Sequence, residues 1–129
     1  MMNEEQQIQE FEQRFSEIKT MLHLTDEIMI RLNNTFLETV ALTLKQLEAA
    51  ILEEDYEAIE RYAHAIKGSS SSLRYTKISD IAEVLEKSAH AKKSDTYQEM
   101  LNDLNAELDA AQQCYFLWKN VKIKKEQDF

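Results

Sequence analysis

His64 is followed at the third and fourth positions by Lys67 and Gly68, and that glycine is the only one in the chain. On a helix, residues three and four apart are neighbours on one face, so an imidazole, an ammonium and a bare stretch of backbone share a patch. A neutral imidazole nitrogen is a nucleophile toward phosphorus, and histidine's unperturbed pKa leaves much of the ring neutral near pH 7. Phosphoryl transfer asks a protein mainly for position and charge stabilisation. Lys67 can supply a cation to the phosphoryl oxygens, and Gly68 removes the side chain that would obstruct them. A glycine inside a helix costs about 1 kcal/mol relative to alanine, so something must gain from it. Glu60, one turn before His64, is placed to hydrogen-bond the other ring nitrogen, although an exposed pair of this kind can equally be idle.

The elements that must position this patch are helical. Ile8, Phe11, Phe15, Ile18 and Leu22 follow a three-four spacing, one face of a first helix. Thr25 or Asp26 can cap a second, striped by Met29, Leu32, Phe36, Val40, Leu44, Leu47 and Ile51. Asp55 can cap a third, whose inward set is Tyr56, Ile59, Ala63, Ile66, Ser70 and Leu73. Its outward set is Glu57, Glu60, Arg61, His64, Lys67, Gly68 and Ser71, so the patch is expected to face solvent. Ile78, Ile81, Ala82, Leu85 and Ala89 stripe a fourth helix. Ser94 can cap a fifth, carrying Tyr97, Leu101, Leu104, Leu108, Ala111, Tyr115 and Trp118 and ending in Lys119, Lys122, Lys124 and Lys125. The expected helices cover about 3–22, 26–53, 55–73, 77–92 and 95–121. Long helices and short loops imply antiparallel neighbours, hence an all-α, up-down bundle in a single domain spanning 1–129.

Composition narrows the function classes. With no proline and one glycine in 129 residues, the chain lacks the turn formers of a β-rich fold. A net charge of −9 disfavours nucleic acid and anionic membrane as partners. The apolar runs are too short to span a bilayer and the acidic N-terminus does not resemble a signal peptide, so a cytoplasmic location is expected. Cys114 has no second cysteine to pair with and reads as a small, partly buried hydrophobe. No glycine-rich nucleotide loop is present, so no ATP site is expected.

The run Ala63-His64-Ala65-Ile66-Lys67-Gly68-Ser69-Ser70, with Asp55 before it and Ile78, Ala82 and Leu85-Glu86 after it, resembles the histidine-containing phosphotransfer (HPt) domain. That family's pattern is an acidic helix start, A-H-x-L-K-G-S, then L-x-x-x-A-x-x-L-E on the following helix. The resemblance covers about residues 26–92. It implies a four-helix bundle with an additional N-terminal helix and a phosphocarrier, not an enzyme, moving phosphoryl groups between receiver-domain aspartates. By the same resemblance His64 is the phosphoacceptor, Lys67 steadies the phosphoryl group and Gly68 gives access. The implied partners are response-regulator receiver domains and a hybrid histidine kinase, with the protein acting as a monomer. No cofactor or metal of its own is implied; any Mg2+ would belong to the receiver.

One departure stands out. The family commonly has glycine where this chain has Arg74, and a polar residue such as asparagine near Ser72; Arg74 is expected to lengthen the third helix or to alter the turn after it. Receiver pockets are acidic, so Arg61, Lys67, Arg74 and Lys77 are candidates for docking, with Ser71 beside them and helix-two residues near Phe36 and Val40 as apolar contacts. Glu60…His64 and Glu86…His90 invite a metal-binding reading, but the di-metal bundle pattern needs Glu-x-x-His on two helices, and these pairs are four apart. His23 and His90 read as structural or solvated. The contrasting function is a non-catalytic helical adaptor or dimerisation module in which His64 is inert.

Overall fold

The computed structural model describes residues 2–93 and 96–127, which form five helices and no strand. They are α1 (Glu4–Leu22), α2 (Asp26–Leu52), α3 (Tyr56–Ser72), α4 (Thr76–His90) and α5 (Tyr97–Gln127). Helix α5 continues six residues past the expected end at 121, through the lysine-rich stretch. The N-cap expected at Ser94 lies outside the described residues.

The helix starts follow local chemistry. Asn3 and Gln6 form a reciprocal capping box on α1. The Thr25 hydroxyl accepts from the Ile28 amide at 3.2 Å, so Thr25 rather than Asp26 caps α2. Asp55 accepts from the Ala58 amide at 3.1 Å on α3. The ends are more unusual. His23, Glu54, Arg74 and Lys92 all have positive φ, between 52° and 58°, and each lies in the turn between two consecutive helices. In every case the next residue's amide donates to a carbonyl five residues back: Leu24 to Lys19, Asp55 to Ala50, Tyr75 to Ser70 and Lys93 to Ser88. These are Schellman closures, which favour glycine at the left-handed position. Here four side-chain-bearing residues occupy it. Arg74 therefore does not lengthen α3; the helix stops at Ser72 and Arg74 adopts the conformation that a glycine would take most easily.

The chain divides into two compact units. The unit formed by residues 1–32 and 109–129 contains α1, the start of α2 and the end of α5. Phe11, Phe15, Tyr115 and Trp118 are buried and meet ring to ring, with centroids 4.8 to 6.1 Å apart, close enough for specific aromatic packing in addition to area burial. Asp26 receives Lys19 Nζ at 2.7 Å and Lys122 Nζ at 3.0 Å. Hydrogen bonds from these two lysines, with their charge, hold its carboxyl below the usual aspartate range against a smaller opposing effect of burial. The half-buried Cys114 thiol donates to the Gln7 carbonyl at 3.3 Å, and burial pushes its pKa up, as suits a packing residue. Leu22, expected on the buried face of the first helix, is 54% exposed, and Phe116 is 61% exposed.

The unit formed by residues 33–108 holds the rest of α2, α3, α4 and the first turns of α5. Leu47, Ile59, Ala63, Ile66, Ala82, Leu85, Leu101 and Leu104 are almost fully buried and supply the apolar area that drives association of the helices. Leu32 leaves the α2 stripe, being 42% exposed, and the adjacent Asn33 is buried. The reason is a polar contact: the Tyr75 hydroxyl donates to Asn33 Oδ1, while the Tyr75 ring stacks on Phe36 with centroids 4.6 Å apart. The Asn33 oxygen is thus satisfied from the turn after α3, while its Nδ2 is buried without a hydrogen-bond partner among the described residues. Asn33 and Asn34 lie within the uninterrupted helix α2.

Candidate functional site

Helices α3 and α4 set the geometry of the His64 patch. Side-chain pairs cross between them, and Glu60 with His90, His64 with Glu86, and Ser71 with Ser79 mark the register. Each step up α3 is matched by an equal step down α4, so the two helices run antiparallel in a fixed register. This follows from the sequence pattern. Ala63, Ile66 and Ser70 of α3, and Ile78, Ala82, Leu85 and Ala89 of α4, are buried, and the small residues among them permit close approach. The residues flanking these stripes then face one another along the surface.

The His64 side chain is 69% exposed, and its Nδ1 lies 3.0 Å from Glu86 Oε1. A carboxylate only accepts, so Nδ1 is the donor, and in the neutral ring the lone pair is then on Nε2. Lys67 Nζ lies 3.2 Å from the other oxygen of the same carboxylate, Oε2. Glu86 is only 19% exposed. Burial alone would push its carboxyl up, but the hydrogen bonds from His64 and Lys67, with their charges, outweigh burial and hold it below the usual glutamate range. An ionised Glu86 therefore ties down the imidazole and the ammonium together. Gly68 completes the patch: a Cβ built on it would meet nothing within 4 Å, and its φ is not positive. Neither packing nor backbone conformation requires a glycine there.

Residues 31–114 match the Hpt domain family. The chain belongs to that family. It is 30% identical over 97 residues to the phosphorelay intermediate protein YPD1 of Candida albicans; the match takes in 75% of this chain but only 52% of that relative, so the chain spans about half of its length. The crystal structure of histidine-containing phosphotransfer protein B (HptB) from Pseudomonas aeruginosa PAO1 superposes with a TM-score of 0.74 over 87% of this chain and 92% of that one, at 20% identity. This shows that the Hpt domain described here has the same helical-bundle fold.

Within the Hpt domain, His64, Lys67 and Gly68 lie together on α3, but the orienting carboxylate is not the expected one. Glu60 instead pairs with His90, Oε1 to Nδ1 at 3.0 Å. Helical spacing made Glu60 and Glu86 both plausible neighbours of a histidine; only the α3–α4 register decides between them. The within-helix pairs Glu60…His64 and Glu86…His90 are thereby exchanged for pairs across the helices. Ser71 is exposed and its hydroxyl lies 2.6 Å from that of Ser79. The Arg61 guanidinium lies over the Tyr62 ring, 5.1 Å from its centroid. Lys77 is exposed and Arg74 half-buried. Phe36 and Val40 are buried, at 4% and 2% exposure, and so cannot form part of a free docking surface. Both belong to the apolar stripe expected on that helix, together with Met29, Leu44 and Leu47, which are buried too. Among the large apolar residues of α4, Val84 is 56% exposed.

Proposed function

We propose that this Hpt domain is a phosphocarrier in which His64 Nε2 accepts a phosphoryl group from the aspartyl phosphate of a receiver domain and passes it to another receiver aspartate. The observation that carries this reading is the exposed His64 ring, with Nδ1 engaged by Glu86 and Nε2 available as the nucleophile. In the forward step the Nε2 lone pair attacks phosphorus, the acyl P–O bond breaks, and the receiver carboxylate departs. The ring becomes cationic as the P–N bond forms, and the Glu86 carboxylate at Nδ1 stabilises that charge. Lys67, 3.2 Å from Glu86, can turn to the phosphoryl oxygens, and the open flank at Gly68 admits the partner's aspartyl phosphate loop.

In this reading the protein has no kinase chemistry and no cofactor of its own; a divalent ion would be the receiver's. Its partners are response-regulator receiver domains and a hybrid histidine kinase, met in the cytoplasm. Arg61, Lys67, Arg74 and Lys77 favour an acidic receiver surface. Incubation with a phosphorylated receiver tests the proposal. The expected result is an acid-labile, base-stable label on the wild type that His64→Gln abolishes. Equal labelling of that variant, or no transfer from any of a panel of receivers, would favour the inert adaptor instead.

A further inference from the structure

The His64–Glu86 arrangement has a counterpart on the same helical pair. His90 Nδ1 lies 3.0 Å from Glu60 Oε1, as His64 Nδ1 lies 3.0 Å from Glu86 Oε1, and the two imidazole side chains are 79% and 69% exposed. In both cases the histidine is on one helix and the carboxylate on the other, so the second pair is the first with the helices interchanged. We propose that His90 is a second phosphoryl-accepting imidazole, reactive at Nε2 toward small activated phosphodonors such as phosphoramidates and acyl phosphates.

The chemistry follows from the contact. Glu60 accepts a hydrogen bond from Nδ1–H, which in the neutral ring places the lone pair on the exposed Nε2. Attack on phosphoramidate forms a P–N bond at Nε2 and breaks the donor's own P–N bond. The amine, already protonated in the donor, leaves as ammonia, and the ring's positive charge is shared with Glu60. What the second pair lacks is retention. Lys67 serves the first carboxylate, whereas the residue three beyond His90 is Lys93, outside α4. His90 is also the last residue of α4, where the carbonyl ends of the helix disfavour added negative charge. The label on His90 should therefore be shorter-lived than that on His64.

The inference shares the geometric argument made for His64, and the test separates the two. Full-length His64→Gln protein is treated with phosphoramidate, and the labelled sites and isomers are read by mass spectrometry and NMR. His23 serves as internal standard, being exposed and without a carboxylate partner among the described residues. The expected result is Nε2-linked phosphate on His90, forming several-fold faster than on His23. Adding Glu60→Ala or Glu60→Gln should bring the His90 rate down toward that of His23, with the Nδ1-linked isomer appearing in the alanine variant. His90 labelling no faster than His23, or unchanged by both Glu60 substitutions, would overturn the inference. In the wild type, label on His64 without His90 would overturn it while leaving the proposed function intact; label on His90 without His64 would do the reverse.

Discussion

At the scale of single residues, one carboxylate holds the His64 patch together. Glu86 accepts a hydrogen bond from His64 Nδ1 on one oxygen and faces Lys67 with the other, so its removal should release both. Glu86→Ala is expected to slow phosphoryl transfer from a receiver by roughly 10- to 100-fold, the usual scale for loss of orientation at a reacting centre. A purely structural role would leave the site of attachment unchanged. Here the freed Nδ1 should compete, so the Nδ1-linked phosphohistidine isomer, resolved by 31P NMR, should appear beside the Nε2-linked one. Gly68 gives a second test. Because a Cβ there meets nothing, Gly68→Ala should raise stability by about 0.5–1 kcal/mol in urea denaturation. A larger Gly68→Gln should keep the fold and slow transfer from a receiver while sparing labelling by phosphoramidate, which needs no broad approach. Equal slowing with both donors would mean that the glycine acts on the imidazole itself. The grouping of His64, Lys67 and Gly68 was legible in the sequence because their spacing lies within one helix. Glu86 was legible as part of a motif, but its contact with His64 was not, since that contact depends on how one helix slides past another.

At the scale of elements, helix existence was written in the three-four spacing of apolar residues, and most of the expected stripes are buried. One exception has a visible cause. Leu32 gives way to Asn33 because the Tyr75 hydroxyl reaches into α2, and no periodicity rule favours a buried asparagine over the leucine beside it. The first four helix ends fall within two residues of the expected ones, although the usual stop signal is glycine and this chain uses His23, Glu54, Arg74 and Lys92. A left-handed conformation costs a residue with a Cβ about 1–2 kcal/mol, which local contacts offset in part. Glu54→Gly and Lys92→Gly should each stabilise the protein by up to about 1 kcal/mol, read as a higher urea midpoint with an unchanged slope. A loss of stability would show that the native side chains make compensating contacts at those turns. Arg74→Gly should behave similarly in denaturation and would also report whether the arginine takes part in receiver docking, through a change in KM without a change in kcat.

At the scale of the whole molecule, acid sensitivity has a source in each unit. Asp26 and Glu86 both have carboxyls held below their ordinary values of 3.8 and 4.5. The folded protein therefore binds fewer protons at these sites than the unfolded chain does as the pH falls through this range. Their stabilising contribution is complete above those values and is lost as the pH drops through the lower folded ones. Urea midpoints should accordingly fall below about pH 4.5, and Asp26→Asn should be less stable at pH 7 yet lose less on acidification. An identical acid profile for the variant and the wild type would remove Asp26 from this account. The distribution of unusual backbone over the chain has one further consequence. The sole residue lacking a side chain sits where the main chain has no need of it, and the four hairpin corners that would welcome it do without. Robustness and reactivity are thus assigned to separate addresses: a hardier version can be made by editing the corners at Glu54 and Lys92, with the imidazole, its counter-ions and its open flank left untouched.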